Sequence, residues 1–196
     1  MLGLLAVVLL VTTALGFALG FHNPLTAVIE VVAIGAYLLI GRGGGSAIDN
    51  LLIGSKGERQ VGAILDALAD EGWRTIHGGL TERGDIDHIA IGPGGLFTIE
   101  TKFRGGRFHI GRVPQRELKQ AYAEARAVER IAEYRAVPLL VFTHAFIEGR
   151  GVNSRDGVTV LPARMLKGLL TRRAHPAALA PDQIDAVYAR LASELG

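Results

Sequence analysis

The pattern of apolar and polar positions begins with two long hydrophobic runs. Residues 2–21 are uncharged and largely apolar, and a second run extends from residue 24 to about residue 40. About 20 residues at a rise of 1.5 Å are enough for a helix to cross a 30 Å hydrocarbon core. Asn23 and Pro24, between the runs, are residues that favour the start of a second helix. The pattern predicts a transmembrane helical hairpin over residues 1–41.

Charged residues are nearly absent from this segment, where Glu30 is the only Asp, Glu, Lys or Arg. Arg42, Lys56 and Arg59 follow the second run, whereas the interhelical turn has no Lys or Arg. The positive-inside bias then predicts a multi-pass membrane protein whose remaining chain is cytoplasmic. A cleaved signal peptide fits less well, because a basic leading region is missing and a second apolar run follows at once. Glu30 is interpreted as an acid near the outer interface, with a functional role as the alternative.

After a glycine-rich segment at residues 42–54, interpreted as a flexible linker, helical and strand-like periods alternate. The predicted elements are a helix at 55–71, strands at 73–77, 86–91 and 96–102, a helix at 115–134 and a strand at 137–142. A strand at 158–161 and helices at 163–172 and 182–195 complete the chain. The order helix, three strands, helix, strand predicts an α/β domain over residues 55–165, followed by a helical extension over residues 166–196.

The composition excludes cysteine-based sites and leaves most other kinds of binding and catalysis open. The chain has no cysteine, which excludes disulfides, thiolate zinc sites and cysteine nucleophiles. The formal net charge of +2 permits nucleic acid binding without favouring it over an ordinary mixed surface. The part beyond the hydrophobic runs, roughly 150 residues, is enough for one domain with its own core.

Residues 92–95, Gly-Pro-Gly-Gly, are the clearest hairpin signal in the chain. If these four residues form the loop, Asp87 lies opposite Glu100, and two facing carboxylates are destabilising unless a cation neutralises them. Lys102 points to the same side as Glu100, because strand side chains alternate. Carboxylates that bind Mg²⁺ beside an ammonium group suit phosphodiester cleavage.

Each of these features has a plainer interpretation. The Glu-x-Lys spacing also suits a surface ion pair, with Asp85 opposite Lys102. The segment from Ser55 to Glu58 matches a helix capping box. His88 should point to the opposite face of the sheet from Asp87 and is interpreted as structural.

Four arginines are further candidates for contacts with a substrate. They could contact phosphates, although a solvated basic rim is the simpler interpretation. These residues are Arg104, Arg107, Arg112 and Arg116.

Four sequence blocks, taken in order, resemble a known family. The blocks are Gly54-Ser55-Lys56-Gly57-Glu58, Gly84-Asp85-Ile86-Asp87-His88-Ile89, Gly94-Gly95-Leu96-Phe97-Thr98-Ile99-Glu100-Thr101-Lys102 and Leu118-Lys119-Gln120-Ala121. Together they resemble the nuclease-related domain NERD of the PD-(D/E)xK nuclease-like group, over about residues 54–142. The resemblance implies a restriction-endonuclease-like core of helix, three strands, helix and strand, which is the order read from periodicity.

The resemblance also implies a set of site residues. They are Asp87 and Glu100 as metal ligands, Lys102 as the lysine of the (D/E)-x-K pair, Glu58 as the acid of the first helix and Gln120 as the glutamine of the second. The proline of the motif name has no counterpart, since Ile86 stands beside Asp87.

Together, the residues and the resemblance predict a membrane-anchored nuclease that uses Mg²⁺ or Mn²⁺ and cleaves DNA. One alternative is a catalytically silent, membrane-tethered module for nucleic acid binding or scaffolding. Another is an interaction protein whose hydrophobic helices recruit a membrane partner, which an essential role of Glu30 would favour.

Overall fold

The computed structural model describes residues 11, 13, 16, 32, 45–82, 84–148, 151–172 and 178–195. The chain divides into two compact units, Met1–Leu52 and Ile53–Gly196. The predicted transmembrane hairpin lies outside the described residues except at four helical positions in the first unit, residues 11, 13, 16 and 32. Within the described ranges, no helix combines the length and apolar character needed to span a membrane.

A mixed six-stranded sheet and four helices form an α/β fold. In chain order the elements are α1 (Gly45–Asp66), β1 (Arg74–Thr81), β2 (Gly84–Gly92), β3 (Gly95–Phe108), α2 (Gln115–Ala132), β4 (Ala136–Ile147), β5 (Asn153–Arg155), β6 (Val158–Pro162), α3 (Leu166–Leu170) and α4 (Pro181–Leu195). The strand order is β1-β2-β3-β4-β6-β5. Strand β4 is parallel to β3 and β6, and the other neighbours are antiparallel. The predicted order of helix, three strands, helix and strand is confirmed.

The β2–β3 hairpin has the predicted register with a shorter loop. Ile91 pairs with Leu96 as expected, but Gly92 also pairs with Gly95, which leaves a two-residue loop. A Cβ at Gly92 would lie 2.2 Å from the Trp73 side chain. Glycine is therefore required where this indole packs beneath the hairpin.

Helix α1 begins ten residues before its predicted start and continues through Ser55. The predicted capping box at Ser55 and Glu58 is therefore wrong, because Ser55 lies inside the helix. No proline occurs between residues 25 and 92, and extending an existing helix adds one hydrogen bond for each residue ordered. The segment ends as predicted near Gly72, whose φ of 82° suits glycine.

Other elements also differ from the prediction: β1 and β4 are longer than predicted, and β5 was not predicted. Strand β3 extends to Phe108 through a register shift between Phe103 and Gly106, and short-range alternation does not reveal such an irregularity. Strand β5 has three residues, too few for a periodic signal. The predicted helix at 163–172 is a 3₁₀ turn followed by the five-residue α3.

Each face of the sheet is covered by helices. On the face that we call the α1 face, the apolar side of α1 packs on the central strands, and the buried residues include Val61, Leu65, Leu68, Phe97, Ile99, Leu139 and Val141. On the opposite face, called the α2 face, α2 and α4 pack on the same strands, and the buried residues include Ile89, Ile91, Leu96, Ala125, Val128, Val187 and Leu191. Functional side chains on β2 and β3 therefore lie beneath one helix layer or the other.

Candidate active site

The β2–β3 hairpin delivers two carboxylates to the α2 face. The regular ladder ends at the His88–Ile99 pair, so Asp87 and Glu100 are the next residues in the same register. The main-chain N–H of Thr101 donates a hydrogen bond of 2.6 Å to Asp87 Oδ2. This bond fixes the Asp87 side chain against β3, next to the buried Glu100.

Lys102 and Gln120 complete the group that the sequence suggested. The Lys102 ammonium donates to Glu100 Oε1 and lies 3.5 Å from Gln120 Oε1. The suggested pair between Asp85 and Lys102 is not among the described contacts, because the β2–β3 ladder ends at the His88–Ile99 pair and the Lys102 ammonium bonds to Glu100 instead. The structure thus brings Glu100, Lys102 and Gln120 into contact across β3 and α2.

Helix α2 adds two acids that sequence reasoning missed. Glu117 and Glu124 are both buried, and they lie on the same side of α2 as Gln120 because 117, 120 and 124 follow helical spacing. Arg104 Nη2 donates to Glu117 Oε1 at 3.0 Å. Their position on the apolar face of α2 was the available signal, since an acid at such a position is rarely an ordinary surface residue.

The electrostatics show that negative charge is in excess here. Burial, followed by the Glu100 carboxylate, raises the pKa of Asp87 to about 7, against the lowering effect of the Thr101 hydrogen bond. Burial and the same carboxylate raise the pKa of Glu124 far above its ordinary value. Burial works against the charged form of Lys102, but the hydrogen bond and charge of Glu100 outweigh it and raise the pKa of Lys102.

Three carboxylate oxygens in this group have no hydrogen-bond partner among the described residues, namely Oε2 of Glu100, Glu117 and Glu124. Buried polar atoms without partners are costly, and a hard divalent cation prefers oxygen donors of this kind. Across the described ranges, no three His, Asp or Glu side chains converge as a ready metal cluster. Mg²⁺ held by Asp87 and Glu100 would therefore take its other ligands from water or main chain, as this ion commonly does.

Glu58 lies at the edge of the group rather than within it. Its side chain is exposed on α1, and its charge adds to the forces that raise the pKa of Asp87. Its main-chain carbonyl accepts a hydrogen bond from Nε2 of His88 at 3.1 Å. Glu58 is thus close enough to influence Asp87, but no hydrogen bond joins the two carboxylates in the described contacts.

His88 lies on the α1 face, as alternation along β2 predicts, and forms a pair with His77. The two Nδ1 atoms are 3.0 Å apart, and His77 Nε2 lies 2.8 Å from Asp66 Oδ1. Burial, followed by His77, lowers the pKa of His88 to about 4. Sequence reasoning missed His77, because its contact with His88 depends on the β1–β2 register.

The candidate arginines separate into two kinds. Arg104 pairs with Glu117 and lies near the Phe108 and Phe142 rings, so its role is largely internal.

Arg107 is exposed, with its guanidinium 4.7 Å from the centroid of the Phe146 ring, and the Arg164 guanidinium lies 5.2 Å from the same centroid. Three residues, Arg107 on β3, Phe146 on β4 and Arg164 in the 3₁₀ turn after β6, form an exposed patch that we call the basic aromatic patch. The structure gives no contact for Arg112 or Arg116 that bears on the site.

Residues 53–144 match the family model of NERD, described as the nuclease-related domain. This segment extends from α1 to β4 and includes all five predicted site residues. No curated protein and no solved structure matches the chain significantly. The chain therefore carries a nuclease-related domain at residues 53–144.

Proposed function

We propose that the protein is a metal-dependent phosphodiester hydrolase that cleaves DNA. The observation that carries this proposal is the group of the buried Glu100 and the half-buried Asp87 and Lys102 on one sheet face of a nuclease-related domain. Two carboxylates with one ammonium group leave net negative charge that a divalent cation would balance. A structural core gains nothing evident from such a group.

Each residue of the site has a separate role in this proposal. Asp87 and Glu100 would hold Mg²⁺ or Mn²⁺, which when bound supplies a Lewis acid and a more acidic water. The Lys102 ammonium, oriented by Glu100 and Gln120, places a positive charge where a phosphate would gain negative charge. Thr101 fixes Asp87 through its main-chain N–H. Glu58 adds negative charge at the edge of the site.

The basic aromatic patch supports a nucleic acid as the substrate. Arg107 and Arg164 are exposed guanidinium groups, and Phe146 presents an exposed aromatic ring between them. Arginines bind phosphates and aromatic rings stack on bases, so this surface suits contact with a nucleic acid. Because Ala145 and Ile147 pack with residues of α2, strand alternation places Phe146 on the α1 face, opposite to the carboxylates.

The membrane location is a proposal from the two N-terminal apolar runs. Their lengths suit a helical hairpin, and the basic residues after the second run favour a cytoplasmic nuclease-related domain. In that arrangement the protein would act on DNA near the inner surface of a membrane.

A catalytically silent DNA-binding or scaffolding module is the second candidate. One observation favours it: the Lys102 ammonium already occupies Glu100 Oε1, so part of the carboxylate charge is balanced without a metal. This candidate predicts DNA binding without cleavage.

The two candidates separate in a cleavage assay on the full-length chain purified in detergent. Supercoiled and linear DNA are incubated with Mg²⁺, with Mn²⁺ or with a chelator, using wild type, Asp87→Asn and Lys102→Met. Lys119→Met, an exposed lysine on α2, is the matched control. Metal-dependent cutting that is lost in the first two variants and kept in the control supports the nuclease. A folded wild type that binds DNA but does not cut it supports the silent module.

A further inference from the structure

The two histidines on the α1 face approach each other through the same ring nitrogen. Their Nδ1 atoms lie 3.0 Å apart, and the rings meet edge to face with centroids 5.1 Å apart. The proposed nuclease chemistry does not use this pair, since it lies on the opposite face of the sheet from Glu100 and Lys102.

The hydrogen bonds of the other ring nitrogens determine where the protons are. Nε2 of His88 lies 3.1 Å from the main-chain carbonyl of Glu58, and a carbonyl can only accept, so this nitrogen carries the proton. Nε2 of His77 lies 2.8 Å from the Asp66 carboxylate, and the same argument applies. A neutral imidazole has a single N–H, so if both rings are neutral, their Nδ1 atoms present lone pairs to each other.

A distance of 3.0 Å allows a hydrogen bond when one ring carries a proton at Nδ1, whereas two lone pairs at this distance repel, and a metal ion bound to both nitrogens would remove the repulsion. The surroundings of the pair match a metal site, because metal-ligating histidines almost always donate their other N–H to a carboxylate or a main-chain carbonyl. Here Asp66 supplies the first acceptor and Glu58 the second. Imidazole nitrogens suit zinc, copper and nickel rather than magnesium.

The dimensions are close to those of a metal site. With metal–nitrogen bonds of about 2.1 Å, the observed separation of 3.0 Å corresponds to a ligand–metal–ligand angle of about 90°. Tetrahedral zinc requires the two nitrogens to be about 3.4 Å apart, so the rings would separate by about 0.4 Å on binding. Both histidines line an open cleft of about 1410 Å³ together with Ser55, Glu58 and Asp66. The cleft leaves room for water to complete the coordination.

We propose that His77 and His88 form a transition-metal site on the α1 face, with Zn²⁺ as the ion of first choice and with Asp66 and the Glu58 carbonyl as the groups that orient the two rings. The site joins β1 and β2 to α1 through these four residues. Its binding does not depend on whether the protein is a nuclease.

The test is Zn²⁺ binding to the full-length chain in detergent, measured by calorimetry with excess Mg²⁺ present to occupy oxygen sites. Wild type should bind Zn²⁺ at least tenfold more tightly than His77→Ala, and Asp66→Asn should weaken binding by about tenfold. His109→Ala is the control, because His109 caps a separate 3₁₀ turn. Electron paramagnetic resonance of bound Cu²⁺ should show two nitrogen ligands in wild type and one in His77→Ala.

The half-exposed His77 is the main test position, since its replacement is better tolerated than that of the buried His88. Equal Zn²⁺ affinity in wild type and His77→Ala, with both chains folded by circular dichroism, would overturn the proposal. In that case a proton shared by the two rings would account for the short contact.

Discussion

Strand β2 contributes to two groups of polar side chains, the carboxylates of the α2 face and the histidine pair of the α1 face, and the two groups differ in chemistry. Asp87 and His88 are neighbours on β2, yet Asp87 joins the carboxylates of the α2 face and His88 joins the histidine pair of the α1 face. The first group offers oxygen ligands and excess negative charge. The second offers two nitrogens whose other ring positions are already bonded. Strand alternation can thus place a hard and a softer cation site one residue apart in sequence.

The largest expected effect is on catalysis at the α2 face. Glu100→Gln removes a carboxylate that would hold the metal and the acceptor that orients Lys102. We expect DNA cleavage to fall by about 10²–10³-fold, comparable to the loss of one transition-state stabilising group. Glu124→Gln is the contrast, with an expected loss of less than about tenfold, because Glu124 lies near Glu100 but is not a proposed metal ligand. Similar rates for Glu100→Gln and Glu124→Gln would contradict these separate roles.

A second prediction concerns the pH dependence of stability without metal. The folded pKa of Asp87, about 7, lies above its ordinary value of 3.8, so the folded chain binds more protons between these two pH values. The free energy of unfolding should therefore fall as pH rises from about 4 to about 7, with the full cost present above pH 7. Glu124 shifts in the same direction and extends the fall to higher pH.

Asp87→Asn should remove the Asp87 part of this cost and stabilise the metal-free chain at pH 8 by about 2 kcal/mol. Urea unfolding in a chelator at pH 5 and pH 8 measures both effects. Wild-type stability that does not change between these pH values, together with no gain from Asp87→Asn, would show that burial and the Glu100 carboxylate do not destabilise the ionised form of Asp87.

The third prediction concerns the α1 face. Free Zn²⁺ at ten times its dissociation constant should stabilise the folded chain by about 1.4 kcal/mol. His77→Ala should abolish this gain, while Asp87→Asn should keep it, because the Asp87 carboxylate is hydrogen-bonded to the main chain of β3, although it lines the same cleft as the two histidines. Thermal unfolding with and without Zn²⁺ measures the shift. A Zn²⁺ effect that depends on Asp87 rather than on His77 would place the ion at the carboxylates instead.

The smallest effect is expected at the basic aromatic patch. Arg107→Ala should weaken DNA binding a few-fold and reduce the salt dependence of binding by about one phosphate contact. Arg104→Ala should instead lower stability, since Arg104 pairs with Glu117 and packs near two aromatic rings. Filter binding at several salt concentrations distinguishes the two variants. An unchanged salt slope in Arg107→Ala would remove this patch from the proposed DNA surface.

Much of the fold could be predicted from periodicity, because the order of elements and the β2–β3 register follow from alternation and one glycine-rich loop. The start of α1 could not be predicted, since the helix continues through Gly54 and no proline separates the predicted linker from the predicted helix. Strand β5 could not be predicted, because three residues are too few to show a periodic pattern. The register shift in β3 depends on tertiary pairing with β4.

The site could be predicted in part. Alternation placed Asp87, Glu100 and Lys102 together, while Gln120 and Glu58 came only from the resemblance. Glu117 and Glu124 were missed because a charged residue in a helix is usually read as solvent-exposed, and only the packing of α2 on the sheet shows that they are buried. His77 was missed for a similar reason, since its partner His88 lies on the next strand.

The central claim is that the carboxylates of the α2 face bind a divalent cation. The most direct measurement is the binding of Mn²⁺ to the full-length chain, followed by electron paramagnetic resonance, in wild type, Asp87→Asn and His77→Ala. We predict saturable binding in wild type and His77→Ala and at least a tenfold loss of affinity in Asp87→Asn. Equal Mn²⁺ binding in wild type and Asp87→Asn would contradict the claim.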